Sequence, residues 1–141
     1  MKNIFILLFL TFSLGIFSQI EDPLKWATSV EKISDTEFVL VSTATIDDGW
    51  HLYAQDVPED GPIATSFTFE NTKNNYLLKG NTTEQEGVTI DDPVFEMKIK
   101  FFENSATFKQ TIQTKTDLNY IRGVVEFMVC DDTRCLAPTE I

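Results

Sequence analysis

Beyond its first 18 residues, the chain alternates apolar and polar positions with a period of two, the signature of strands with one buried face. Leu24, Trp26, Thr28 and Val30 alternate with Lys25, Ala27, Ser29 and Glu31. The run from Thr36 to Ile46 sets Phe38, Leu40, Ser42, Ala44 and Ile46 on one side and stops at Asp47-Asp48-Gly49, a strong turn signal. Trp50 to Ala54 reads as a short extended piece closed by Val57-Pro58-Glu59-Asp60-Gly61-Pro62, and Ile63, Thr65, Phe67 and Phe69 share a face in the segment after it. Tyr76-Leu77-Leu78 is a brief apolar run. Gly80 to Asp92 is polar and acidic without clear periodicity and reads as a long loop holding at most one ragged strand. The clearest strand is Val94 to Phe102, where Phe95, Met97, Ile99 and Phe101 alternate with Glu96, Lys98 and Lys100. Glu103-Asn104 turns the chain into a Thr-rich strand, Ser105 to Lys115, with Ala106, Phe108 and Ile112 on one side. The last strand runs from Ile121 to Cys130, with Val125, Phe127 and Val129 facing one way and Val124, Met128 and Cys130 the other.

No segment in this region has an apolar period of 3.6 over three turns, and there is no internal repeat. About eight short strands at spacings of roughly 8–12 residues predict an all-β antiparallel sandwich, with a β-barrel as the alternative. A chain of 141 residues suffices for one such domain with a proper core, and the twelve Phe residues outside and inside the N-terminal stretch are mostly core material.

The first residues differ in kind. Lys2, an apolar stretch from Ile4 to Phe17 and the small Ser18 have the layout of a secretory signal peptide, residues 1–18, cleaved after Ser18. The apolar run is shorter than the roughly 20 residues of a spanning helix, and no cysteine follows it to carry a lipid anchor. This leaves residues 19–141 as a single exported domain, periplasmic or otherwise outside the cytoplasm, with no direct membrane insertion once the signal is gone. Cleavage removes only Lys2 among the charges, so the net charge goes from −11 to −12. That surface argues against nucleic acid and anionic lipid as partners.

Export sets the context for the chain's two cysteines, Cys130 and Cys135, because thiols close together in an oxidising compartment pair by default. A disulfide holds its Cα atoms roughly 5.5 Å apart, while five extended residue steps cover about 16 Å. The chain between them must therefore fold back, and Asp131-Asp132-Thr133-Arg134 has the short polar side chains that close such a turn. As a staple, so small a loop contributes only about 2 kcal/mol in the chain-entropy model, and inter-strand bridges of sandwiches usually join distant strands. Both points favour a redox pair over a structural bond. A zinc site needs four ligands, and the chain offers two Cys, the single His51 and scattered carboxylates, so metal binding is the minor alternative. No nucleophile elbow or phosphate-binding loop is present, and no cofactor is implied. Glu84, Glu86, Asp91 and Asp92 read most simply as a solvated loop face; alternatively some lie over the cysteines and hold the thiols protonated. Asp131 and Asp132 would act in the same sense and Arg134 in the opposite one.

Four motifs carry a resemblance to a known family: D-P-L-K-W at Asp22 to Trp26, D-G-W-H-L-Y at Asp48 to Tyr53, D-D-P-V-F-E at Asp91 to Glu96, and V-E-F-M-V-C-D-D-T-R-C-L-A-P at Val125 to Pro138. With them, the chain resembles the N-terminal periplasmic domain of thiol:disulfide interchange protein DsbD, the disulfide-bond corrector domain family. The resemblance implies an immunoglobulin-like sandwich that carries electrons as thiols from a membrane-embedded thiol donor domain to thioredoxin-like and other oxidised periplasmic proteins. It implies that Cys135 engages the partner's disulfide and that Cys130 resolves the mixed disulfide. It also implies a capping loop, matched best by Glu84 to Asp92, and aromatic neighbours from the strand Trp50 to Tyr53. Two departures stand out. The cysteine spacing is one residue shorter than in the best-known members. Thr139 would begin a further strand that Ile141 cuts short, leaving the sheet edge beside Phe127 open.

Overall fold

The computed structural model describes residues 21–71 and 73–141, so the proposed signal peptide, residues 1–18, lies outside the described residues. Eleven strands and no helix are present among them. They are β1 (Leu24–Lys32), β2 (Glu37–Ile46), β3 (His51–Tyr53), β4 (Ser66–Phe69), β5 (Tyr76–Glu84), β6 (Val88–Asp92), β7 (Met97–Phe102), β8 (Ser105–Thr114), β9 (Gly123–Phe127), β10 (Val129–Cys130) and β11 (Thr139–Glu140). One sheet has the order β1-β2-β8-β5; a second has β10-β3-β7-β6, and a third β11-β9-β4. All pairings between named strands are antiparallel.

The second and third sheets together form the layer opposite the first, since β9 and β10 are consecutive parts of one run that changes sheet at Met128. Strands β1 and β5 close the first sheet on neither side. The fold is therefore an immunoglobulin-like sandwich and the barrel alternative does not apply.

The main core lies between the layers. Leu24, Ala44, Ile46, Ala106 and Phe108 come from the first sheet, and Leu52, Phe102, Val125, Phe127 and Val129 from the facing layer. Trp26 packs on this core with ring centroids 5.8 Å from Phe108 and 5.6 Å from Phe127. Full burial of each such side chain contributes about 1.5–3 kcal/mol, so the domain holds its two layers together without a covalent link between them.

The strand expected from Val94 begins only at Met97, after a turn at residues 93–96, and the run expected from Ile121 to Cys130 divides into β9 and β10. Two further segments also differ from the reading of the sequence. Gly80 to Asp92 is no long loop: most of it belongs to β5 and β6, joined by residues 85–87. Both strands are sheet edges and largely exposed, so neither carries a buried face that would impose a period. The register of β5 against β8 also shifts between Lys79 and Thr83, where Gly80 takes φ +73°, a conformation glycine adopts without a side-chain clash. The second difference is at the chain's end. Thr139 pairs with Phe127 and Glu140 with Glu126, and Val125 and Ile141 exchange backbone hydrogen bonds of 3.0 and 3.1 Å. The edge beside Phe127 is covered along this stretch.

Candidate functional site: a disulfide on the outer face of the second sheet

Strand alternation splits β3, β7 and β10 between two environments. Leu52, Phe102 and Val129 point into the main core, while Tyr53, Ile99, Phe101 and Cys130 form a separate cluster on the opposite face of the same sheet. Cys130 thus sits directly across from His51 in the β10–β3 register, on the face turned away from the sandwich core.

Cys130 and Cys135 are joined as a disulfide with Cα atoms 4.0 Å apart. The turn that brings them together is built by one carboxylate. Asp131 Oδ1 accepts hydrogen bonds from the Thr133 amide and the Arg134 amide, each at 2.8 Å, and from the Thr133 hydroxyl at 2.7 Å. The Asp131 amide donates to the Arg134 carbonyl at 2.9 Å, and the Leu136 amide to the Val129 carbonyl at 3.0 Å, closing a hairpin end around the bond. These bonds, that from the Thr133 hydroxyl foremost, draw the Asp131 carboxyl down to about 2. The Arg134 guanidinium is held by Glu21 at 2.6 Å and lies 5.6 Å from the centroid of the Trp50 ring.

The two cysteines are unequally buried. Cys130 is 0% exposed, whereas Cys135 is only half-buried. Val57, Phe95, Met97, Met128 and Cys135 pack against the cluster that holds Cys130. The apolar cover therefore includes Phe95 from the turn between β6 and β7, immediately after the stretch Glu84 to Asp92 that the sequence suggested as cap. The Phe95 ring meets Tyr53 edge-on at 5.9 Å.

That turn is fixed by Asp92, which the sequence placed on a solvated face and the fold buries to 2% exposure. Its Oδ1 accepts the Val94 and Phe95 amides at 2.8 and 3.0 Å. The Glu96 amide donates to the Asp92 carbonyl at 2.8 Å, with Glu96 itself in the left-handed region at φ 55°. Oδ2 of Asp92 accepts the Tyr53 hydroxyl at 2.8 Å, and the Tyr53 oxygen lies 3.1 Å from His51 Nε2. A buried chain His51–Tyr53–Asp92 thus runs beside the disulfide. Burial drives the Tyr53 hydroxyl far above its ordinary range, reinforced by its hydrogen bond to Asp92 and the charge there. Burial also lowers His51, against the pull of Asp92, Asp132, Glu103 and Asp131. For Asp92, burial is the largest single effect and raises its carboxyl, but the bonds from Phe95, Tyr53 and Val94 together with His51 outweigh it, leaving the group below the usual value.

Of the residues singled out in the sequence, Cys130, Cys135, Asp131 and Arg134 meet in the turn, Tyr53 lies beside Cys130, and Trp50 meets Arg134. Asp132 is exposed at the turn's tip. Glu84 is engaged elsewhere, with Lys100 at 2.5 Å and the Gln55 amide at 2.9 Å, and Glu86 stands exposed between β5 and β6. Phe95 is not singled out in the sequence as a site residue, His51 is weighed there only as a metal ligand, and Asp92 only as one of four carboxylates that alternatively lie over the cysteines. Two signals pointed to them: His51 and Tyr53 are two apart in one strand and share a face, and Asp92-Pro93 opens a turn in which an Asp side chain bonds amides further on.

Two solved structures match the chain, the first of them with a similar fold. The N-terminal periplasmic domain of ScsB from Proteus mirabilis matches with a TM-score of 0.59 and 14% identity, over 86% of this chain and 45% of that one. This chain therefore spans less than half of the ScsB chain it matches. The Neisseria meningitidis DsbD N-terminal domain in the reduced form matches with a TM-score of 0.49 and 14% identity, over 82% of this chain and 79% of that one. No curated protein matches. The family model described as "Thiol:disulfide interchange protein DsbD, N-terminal" matches residues 22–141, the whole of the described sandwich, and the chain belongs to that family.

Proposed function

We propose that this domain is an exported thiol:disulfide exchange module that accepts electrons from a membrane-embedded thiol donor domain and passes them to oxidised thioredoxin-like proteins. The observation that carries the reading is the unequal burial of the two cysteines: Cys135 is partly exposed while Cys130 is enclosed. In the reduced protein the Cys135 thiolate attacks a partner's disulfide. A Cys135–partner bond forms, and one partner sulfur leaves as thiolate. Cys130 then attacks the Cys135 sulfur, restoring the Cys130–Cys135 bond and releasing the second partner sulfur. Two electrons have passed to the partner. Export is supported by the signal-like residues 1–18, a route to the compartment in which such partners are found.

The test is trapping. Cys130→Ala removes the resolving thiol, so Cys135 should hold an oxidised thioredoxin-like protein as a stable mixed disulfide, visible on non-reducing gels. If Cys135→Ala traps that protein and Cys130→Ala does not, the assigned roles are reversed.

A further inference from the structure

We propose that His51 is the proton acceptor for Cys130, taking the thiol proton on Nδ1 as Cys130 attacks the mixed disulfide. The proposal rests on the exchange reaction above and names a group that makes its second half possible.

The need follows from burial. With the bond closed Cys130 is 0% exposed, so a thiol held in that position has no direct path for its proton to bulk water, and only the thiolate attacks. The apolar residues clustered with it, Ile99 and Phe101, accept no proton, and the Tyr53 hydroxyl is already committed to Asp92. Asp92 is a poor acceptor as well, because the bonds it takes from Tyr53, Val94 and Phe95 favour its ionised form. Among the described residues packed here His51 is the remaining base, and it lies directly opposite Cys130 in the strand register, where side chains on the same face approach to about 5 Å between Cβ atoms.

The hydrogen-bond chain also decides which ring nitrogen is free. An ionised Asp92 can only accept, so the Tyr53 proton points to Oδ2. The Tyr53 oxygen then accepts from its other neighbour, which puts the proton of neutral His51 on Nε2. Nδ1 is left with an open lone pair. When it takes the Cys130 proton, the imidazolium donates through Tyr53 toward the Asp92 charge, 3.7 Å from Nε2. The other groups bearing on His51 are the Phe101 ring at 4.7 Å and the acidic Asp131, Asp132 and Glu103. Burial lowers the ring's affinity for a proton, so it is neutral and ready at neutral pH. The step balances: Cys130–SH, His51 and the Cys135–partner disulfide give the Cys130–Cys135 bond, imidazolium and a partner thiolate, and the imidazolium then protonates that thiolate.

The experiment uses the reduced protein and an aromatic disulfide whose thiolate is coloured. The first release reports attack by Cys135 and the second reports closure by Cys130. In the wild type the second rate should be flat at neutral pH and fall only below the His51 titration, which proton NMR reads without ambiguity because the chain has one histidine. In His51→Gln the second rate, relative to the first, should fall about a hundredfold or more at neutral pH and climb about tenfold per pH unit with the thiolate fraction. A second release in His51→Gln with the wild-type rate and profile overturns the proposal. Should that variant fail to fold, the wild type decides alone: a closure rate that climbs tenfold per unit straight through the His51 titration overturns it equally. A wild type that releases only one thiolate overturns the exchange reading itself, and the proposal with it.

Discussion

Asp92→Asn keeps the shape of the side chain that fixes the site and removes its charge. The carboxylate accepts three hydrogen bonds in a buried position: the Tyr53 hydroxyl at 2.8 Å and the Val94 and Phe95 amides at 2.8 and 3.0 Å. Hydrogen bonds to an ionised group are about twice as strong as neutral ones, a difference of about 1 kcal/mol per bond in net stability. Three such bonds put the cost of Asp92→Asn at about 2–3 kcal/mol, which in a domain of this size lowers Tm by about 8–12 °C. The loss should depend on pH, because the folded-state carboxyl titrates below its usual value. A depressed carboxyl contributes stability above the unfolded pKa of about 3.9 and loses it as pH falls through the folded value. Thermal unfolding followed by circular dichroism should show the full gap between wild type and variant at neutral pH, closing in acid once the wild-type carboxyl is itself protonated. A neutral-pH Tm within about 2 °C of wild type, or a gap that persists unchanged into acid, would refute the energetic role given to this network. The variant also reverses the chain's direction. The introduced side-chain amide donates to the Tyr53 oxygen, the Tyr53 proton turns to His51 Nε2, and the imidazole proton moves to Nδ1, a change that nitrogen NMR of the single histidine reports.

The reduction potential of the Cys130–Cys135 bond, measured by equilibration with a thiol buffer, should lie above about −300 mV; a lower value marks a structural bond and ends the exchange reading. The Asp131 carboxyl should titrate near 2, since the Thr133 hydroxyl and amide and the Arg134 amide all bond to its ionised form. Its contribution to holding the turn is then present above the ordinary carboxylate range and lost as pH falls toward 2. A titration near 4, followed by carbon NMR of the assigned carboxyl, would mean the turn in solution is not held by this side chain.

Strands were legible in the sequence where one face is buried and the other wet. In β8, Ala106, Phe108 and Ile112 are almost fully enclosed, and the period-two pattern marked them. It failed at β5 and β6 for the converse reason: an edge strand that buries little leaves no period to read. It also merged β9 with β10, because alternation continues through Met128 while the chain passes from one sheet to the other. The cysteine turn was legible because its construction is local, Asp131 bonding to residues two and three further on. Its surroundings were not. Composition cannot separate Asp92 from the neighbouring acidic residues, and what distinguishes it is a hydroxyl from Tyr53, 39 residues earlier.

The placement of these groups also explains how a buried ionisable network is tolerated near the bond. Alternation along β3, β7 and β10 sends Leu52, Phe102 and Val129 into the sandwich and His51, Tyr53, Phe101 and Cys130 to the other side. The core that holds the two layers together therefore shares a sheet with the disulfide but not a face. Opening the bond leaves the main core contacts in place, and the small loop it closes constrains the unfolded chain by only about 2 kcal/mol. A reversible bond can cycle in such a position without cycling the fold. The polar chain from His51 to Asp92 lies on that same outer face, where its cost falls on a small cluster rather than on the core.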